Sequence, residues 1–160
     1  MPIEEQSVAK IVLIIAGSKS DSEAVSHCEE HLSKLGISFD TEYCSAHRDP
    51  ERTARIASSA ENNGYQVVIC LAGMSAALPG VVASHTRLPV IGVPLPGSSL
   101  SGLDSLLSVV QMPPGIPVAA VAVGKPGAAN AAVLAARIVA LTDIEVRKKL
   151  EVYRETLKQK

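Results

Sequence analysis

A chain of 160 residues with 47% apolar and 19% charged side chains is long enough to bury a core and too apolar for disorder. A formal net charge of −1, with one Phe, three Tyr and no Trp, supplies neither the basic surface of a nucleic-acid binder nor the stacking platform of a single-strand binder. Cys28, Cys44 and Cys70 are odd in number and lack CxxC spacing, which fits free thiols and a cytoplasmic location.

Residues 1–10 form a polar segment without the apolar centre of a signal peptide, and no apolar run is long enough to span a bilayer, so no membrane partner is expected. Residues 11–16 are a continuous apolar run, the signature of a buried parallel strand. Gly17-Ser18-Lys19-Ser20-Asp21 follows, then a helical pattern to Leu35 that Gly36 stops. Alternation over 37–43 predicts a second strand. Asp49 as N-cap and Pro50 at the first helical position open a helix to Asn63, closed by Gly64. A third strand is predicted over 66–72, a small-residue loop over 73–80, a short helix ending near Arg87, and a fourth strand over 89–94. A Gly/Ser/Pro loop then leads to a helix over 103–110 and a fifth strand over 118–123. An Ala-rich helix runs from Gly127 to about Leu141, and a charged C-terminal helix over 143–160.

Strict alternation of strand and helix, with short connections and right-handed crossovers, implies an α/β fold of three layers, a parallel sheet with helices on both faces. No repeat or linker divides the chain, so one domain over 1–160 is expected. The Ala-rich helix, small nearly all round, can be packed closely from several sides, at a subunit contact or in a monomer's core.

Ser45-Ala46-His47-Arg48 falls at the carboxyl end of the second strand and the mouth of a helix, where open α/β sheets hold ligands. An imidazole beside a fixed positive charge suits proton transfer on an anionic substrate; the plain alternative is a surface loop. In residues 17–21, backbone N–H groups at a helix start and two hydroxyls suit an anion, although neither a Walker A loop nor G-x-G-x-x-G is present. Asp21 can accept ribose hydroxyls or cap the first helix, and capping is favoured on the residues alone. The small residues of 73–80 admit either a flat ligand or tight helix–sheet packing; Ser75 is the one hydroxyl there, and Met74 is bulky for such a loop. The 97–102 loop can touch a phosphate or serve as a lid. His27 and His31 share a helix face beside Cys28, but no H-E-x-x-H pattern accompanies them and no metal is expected. His85 near a helix end suits the macrodipole, and spacing supports no Ser-His-Asp constellation.

Gly17-Ser-Lys-Ser-Asp21, Ser45-Ala-His-Arg48, Ala72-Gly73 with Leu78-Pro-Gly80, Leu88-Pro-Val-Ile-Gly-Val-Pro94 and Gly102-Leu-Asp-Ser-Leu-Leu-Ser-Val-Val-Gln-Met-Pro113 occur in one order. Together they resemble the N5-carboxyaminoimidazole ribonucleotide mutase family and its sister branch, the aminoimidazole ribonucleotide carboxylases, over about residues 10–141. The resemblance implies a flavodoxin-like fold, a homo-octamer, and a step of de novo purine biosynthesis that yields 4-carboxy-5-aminoimidazole ribonucleotide. It implies a small ribonucleotide and CO2 as partners, and no metal, biotin or nucleotide cofactor. Carried over by motif, Gly17, Ser18, Ser20, Asp21, Ser45, Ala46, Arg48, Gly73, Ser75 and Leu78 bind the ribonucleotide, with Ser18, Asp21, Ser45 and Arg48 toward its phosphate and ribose. His47 is the catalytic residue, near the imidazole and carboxylate.

The mutase branch usually reads Gly-Gly-Ala-Ala-His-Leu-Pro-Gly in the third loop. Here Gly73-Met-Ser-Ala-Ala-Leu-Pro-Gly80 puts Ala77 in the place of that His. The carboxylase branch usually reads Gly-Arg-Ser-Asn and shares Ser75, but it has Lys where Arg48 follows the mutase pattern. The expected activity is therefore the mutase, with a carboxylase using free CO2 as the alternative to the same product. From another class, a non-catalytic flavodoxin-like nucleotide-binding module such as a receiver or flavin carrier would need an acidic cluster after the first strand or aromatics around a flavin, and the sequence offers neither. Ala77 also leaves open a catalytically silent member of the family.

Overall fold

Along the three central strands, apolar residues fill both faces, and this forces the sheet between two helical layers. The computed structural model describes residues 11–159; the polar 1–10 segment lies outside the described residues. Five parallel strands, β1 (Val12–Ala16), β2 (Phe39–Tyr43), β3 (Val67–Gly73), β4 (Val90–Leu95) and β5 (Ala119–Ala120), lie in the order β2-β1-β3-β4-β5. This is the flavodoxin-like order. Register puts Ala16 beside both Tyr43 and Leu71, and Gly73 beside Leu95, so the carboxyl ends of four strands share one edge of the sheet. The chain leaves β1 toward β2 on one side and returns to β3 on the other. That reversal opens a crevice between the loops after β1 and β3.

Alternate side chains of the central strands β1, β3 and β4 feed two separate cores. Val12, Ile14, Val67, Ile69, Leu71, Ile91 and Val93 pack on one face with α1 (Ser22–Lys34), α5 (Lys125–Val139) and α6 (Ile144–Leu157). Leu13, Ile15, Val68 and Cys70 pack on the other with α2 (Pro50–Ser59), α3 (Leu78–His85) and α4 (Leu103–Val110). The three cysteines are free and buried, Cys28 in the first core and Cys44 and Cys70 in the second. Ala128, Ala131, Ala132, Ala135 and Ala136 let α5 lie directly against α1 and the sheet. A Cβ on Gly127 would meet the Ala122 carbonyl oxygen, so only glycine permits that approach.

The helix ends obey their local signals. Asp49 Oδ1 accepts the Arg52 N–H at 3.1 Å and Pro50 is the first residue of α2. Asp143 Oδ1 accepts the Glu145 and Val146 N–H groups at 2.9 and 3.1 Å. Gly36, at φ 71°, follows the end of α1. Boundaries differ at several places. The helix expected to reach Asn63 ends at Ser59 and continues as hydrogen-bonded turns to Gly64. The Ala-rich helix starts at Lys125, because Pro126 is preorganised for its first turn. The fifth strand, expected over 118–123, pairs with β4 only at Ala119–Ala120; as an edge strand it has one neighbour, and beyond it only Val121 and Gly124 still donate to Gly92 and Pro94.

Candidate active site

The loops that follow β1, β2, β3 and β4 surround a cleft of about 380 Å³ at the crevice. All eleven residues singled out from the sequence line it: Gly17, Ser18, Ser20 and Asp21 after β1, Ser45 to Arg48 after β2, and Gly73, Ser75 and Leu78 after β3. The remaining wall comes from Ala72, Met74, Ala76, Ala77, Pro96 and Gly97. Of these, Ala76 and Pro96 carry no side-chain chemistry that would single them out in the sequence.

The first wall is a 3-10 turn over Lys19–Asp21, closed by its own side chains. Asp21 Oδ2 accepts the Ser18 N–H at 3.1 Å, and Ser18 Oγ accepts the Ser20 N–H at 3.2 Å. The Ser20 hydroxyl lies 2.9 Å from Ser18 Oγ. Asp21 does cap, but it caps this turn; as N-cap of α1 it makes no side-chain bond. Burial pushes the Asp21 pKa up from its ordinary value, and the Ser18 N–H and the Ser20 hydroxyl partly offset that. One carboxylate oxygen is held by the Ser18 backbone, and the carboxyl lines the cleft, where a ligand hydroxyl can reach it.

The second wall is the turn carrying His47 and Arg48. The Ser45 carbonyl accepts the Asp49 N–H at 2.8 Å, and the Ser45 hydroxyl accepts the Arg48 N–H at 3.3 Å. Both side chains are thereby presented outward, and both residues are exposed. Among the described residues the Arg48 guanidinium has no carboxylate partner, so its charge is available to an anion. From α2, Arg52 donates to the Tyr43 carbonyl at 2.8 Å and to Glu42 at 2.7 Å, fixing the end of β2.

The third wall is strained. Met74 and Ala76 have φ of 51° and 34°, a region that costs a non-glycine residue about 1–3 kcal/mol. The Gly73 carbonyl accepts the Ala76 N–H at 3.0 Å and so tightens the turn. Ala77, the N-cap of α3, offers no side-chain acceptor to the first turn of that helix. Met74 is 64% exposed, an apolar side chain at the rim of a polar cleft.

The arrangement combines an imidazole, an unpaired guanidinium, a partly buried carboxyl and a floor of small residues. It can hold a phosphorylated ligand and move a proton. The other histidines stand apart: His31 Nδ1 lies 2.8 Å from the His27 carbonyl oxygen, and no group of three or more metal-ligating side chains occurs among the described residues. Among those residues no helix is long and apolar enough to cross a membrane.

Comparison with known proteins identifies the family. A family model described as AIR carboxylase matches residues 11–160. The N5-carboxyaminoimidazole ribonucleotide mutase of Brucella melitensis is 50% identical over 144 residues, covering 90% of this chain and 89% of the relative. The protein of the same name from Escherichia coli is 49% identical over 144 residues, with 90% and 85% covered. That of Saccharolobus solfataricus is 49% identical over 147 residues, with 92% of each covered. A crystal structure of Treponema denticola PurE superposes with a TM-score of 0.83 at 33% identity, covering 94% of this chain and 92% of that one.

Proposed function

The chain belongs to the AIR carboxylase family, and on that premise we propose that it is the mutase that converts N5-carboxyaminoimidazole ribonucleotide to 4-carboxy-5-aminoimidazole ribonucleotide in purine biosynthesis. The observation that carries this reading is the meeting of His47 and Arg48 with Ser18, Asp21 and the small-residue third loop in one cleft, in a chain whose relatives bear the mutase's name.

In this reading Arg48 and the Ser18 and Ser45 hydroxyls hold the phosphate, and Asp21 accepts from the ribose. The N5–carboxylate bond breaks, leaving CO2 and the aminoimidazole, and N5 takes a proton. The enamine-like C4 then attacks the same CO2, and the C4 proton leaves to the base. His47 is the proton carrier: it gives a proton at N5 and receives one at C4, so atoms and charge balance over the cycle. Small side chains over the third loop let the flat ring and CO2 be held together, which raises their effective molarity. Small-molecule partners, a homo-octamer and a cytoplasmic location belong to the same proposal. The apolar residues Leu103, Leu107 and Val110, about half exposed along one side of α4, support association of subunits.

Ala77 and Ser75 favour a second reading, in which the carboxylase captures CO2 from solution with the same final steps. The deciding experiment supplies N5-carboxyaminoimidazole ribonucleotide in one arm and aminoimidazole ribonucleotide with high bicarbonate in the other. Efficient 4-carboxylate formation in the first arm is expected; turnover in the second arm alone overturns the mutase in favour of the carboxylase.

A further inference from the structure

Only two polar side chains are fully buried among the described residues, Thr53 and Ser105, both 0% exposed. Thr53 lies in the first turns of α2, beneath the turn that carries His47. Its Oγ1 donates to the Asp49 carbonyl at 3.0 Å. That bond to the residue four positions back is routine for a helical threonine. Its second partner is not routine: Cys44 Sγ, at the far end of the same turn, lies 3.2 Å from Thr53 Oγ1. Either atom can donate in that contact; with the hydroxyl proton on Asp49, the oxygen accepts from the Cys44 thiol. The Cys44 N–H meanwhile donates to the Ala16 carbonyl at 2.9 Å, which fastens that end of the turn to β1.

We propose that Thr53 is a positioning residue for His47: one buried hydroxyl ties together Cys44 and Asp49, the two residues that bracket Ser45-Ala46-His47-Arg48. The proposal rests on the role given to His47 above. Besides its own backbone and the Ser45 hydroxyl, the five-residue step from Cys44 to Asp49 is spanned directly by the Cys44 thiol, which reaches the Asp49 carbonyl only at 3.8 Å; the shorter path runs through the Thr53 hydroxyl. The outward-facing side chains of this step have no fixed neighbour to hold them. A proton carrier must sit within hydrogen-bond reach of the atom it serves, and a displacement of about 1 Å costs up to about a hundredfold in rate. Apolar packing alone would resist separation of Cys44 from Asp49 without fixing their orientation. A directional bond to each end fixes both.

The test uses Thr53→Val, which keeps the shape and loses the hydroxyl, and Thr53→Ser, which keeps the hydroxyl. The valine variant is expected to fold, because the Asp49 carbonyl still accepts the Thr53 backbone N–H, 3.1 Å away in the parent. Steady-state kinetics with N5-carboxyaminoimidazole ribonucleotide should show kcat lowered about tenfold in Thr53→Val with little change in KM, and recovery in Thr53→Ser. Amide hydrogen exchange should be faster at Arg48 and Asp49 in the valine variant and normal in the serine variant. Parent-like kcat or parent-like protection in a folded Thr53→Val protein overturns the proposal, as does failure of serine to recover either. His47→Asn, measured in parallel, separates the two ideas. If it keeps normal turnover, the role of His47 falls; if it is inactive while Thr53→Val is normal, only the positioning role falls.

Discussion

Ser18 and Asp21 hold each other's backbone in place, the Asp21 carboxylate accepting the Ser18 N–H at 3.1 Å while the Ser18 carbonyl accepts the Asp21 N–H at 3.1 Å. Two residues assigned to the ligand are thus also the fasteners of their own loop. Burial raises the Asp21 pKa above its ordinary 3.8. A carboxyl whose folded pKa is raised contributes stability that is full below 3.8 and lost as pH rises through the folded value. Asp21→Asn should therefore be at least as stable as the parent at neutral pH, an advantage that vanishes as pH falls toward 3.8. The same substitution should weaken ribonucleotide binding. Urea midpoints across that pH range and a binding titration check the two opposite signs; a variant less stable at neutral pH would contradict the argument.

His47→Asn keeps a hydrogen-bonding side chain and removes the proton carrier. Turnover should drop by about 10²–10⁴-fold, with ribonucleotide binding within about tenfold of the parent because a proton carrier acts chiefly in the transition state. Single-turnover kinetics and calorimetry measure the two quantities, and near-normal turnover in the folded variant would refute the assignment.

Arg48→Ala should discriminate between ligands. Loss of a charge-assisted bond costs about 1.5–3 kcal/mol, some tenfold to a hundredfold in affinity, and the loss should appear for the ribonucleotide and not for the phosphate-free nucleoside. Ser18→Ala should act in the same direction. Equal loss for both ligands would move the phosphate away from this wall.

Leu107→Glu places a charge in the exposed apolar side of α4, where Leu107 is 51% exposed. The fold should survive, since that side chain is not in either core. Light scattering should report a homo-oligomer for the parent and smaller species for the variant. A parent that is monomeric and active at micromolar concentration would remove the octamer from the proposal.

Much of this was legible before any coordinates, and the reasons differ by element. The positions of the central strands follow from short uninterrupted apolar runs such as Val67 to Leu71, bounded by turn residues and buried on both faces, whereas their order in the sheet is not written in those runs. Asp49-Pro50 and Asp143 mark helix starts because capping is a local interaction. The fifth strand is shorter than the continuous Val/Ala run of residues 118–123 suggests, because pairing at a sheet edge depends on a partner that composition does not report. In the cleft, Ser18, His47 and Arg48 announce themselves by chemistry and position. Thr53 does not: a threonine inside an amphipathic helix looks ordinary until Cys44, nine positions earlier, is seen against it. Pro96 reaches the cleft only through the packing of the loop after β4.

The distribution of thiols gives the molecule a built-in reporter of its own opening. Burial pushes the Cys28 thiol up to about 12 and raises Cys70 further, so neither presents the reactive thiolate while its layer stays closed. Cys28 lies on the buried face of α1, in the core shared with α5, whereas Cys70 stands under the helices of the opposite layer. Timed alkylation followed by peptide mapping would therefore clock the two halves of the sandwich separately. Equal rates at the two positions would mean that the layers part in one cooperative event, and a faster rate at either would identify the half that loosens first.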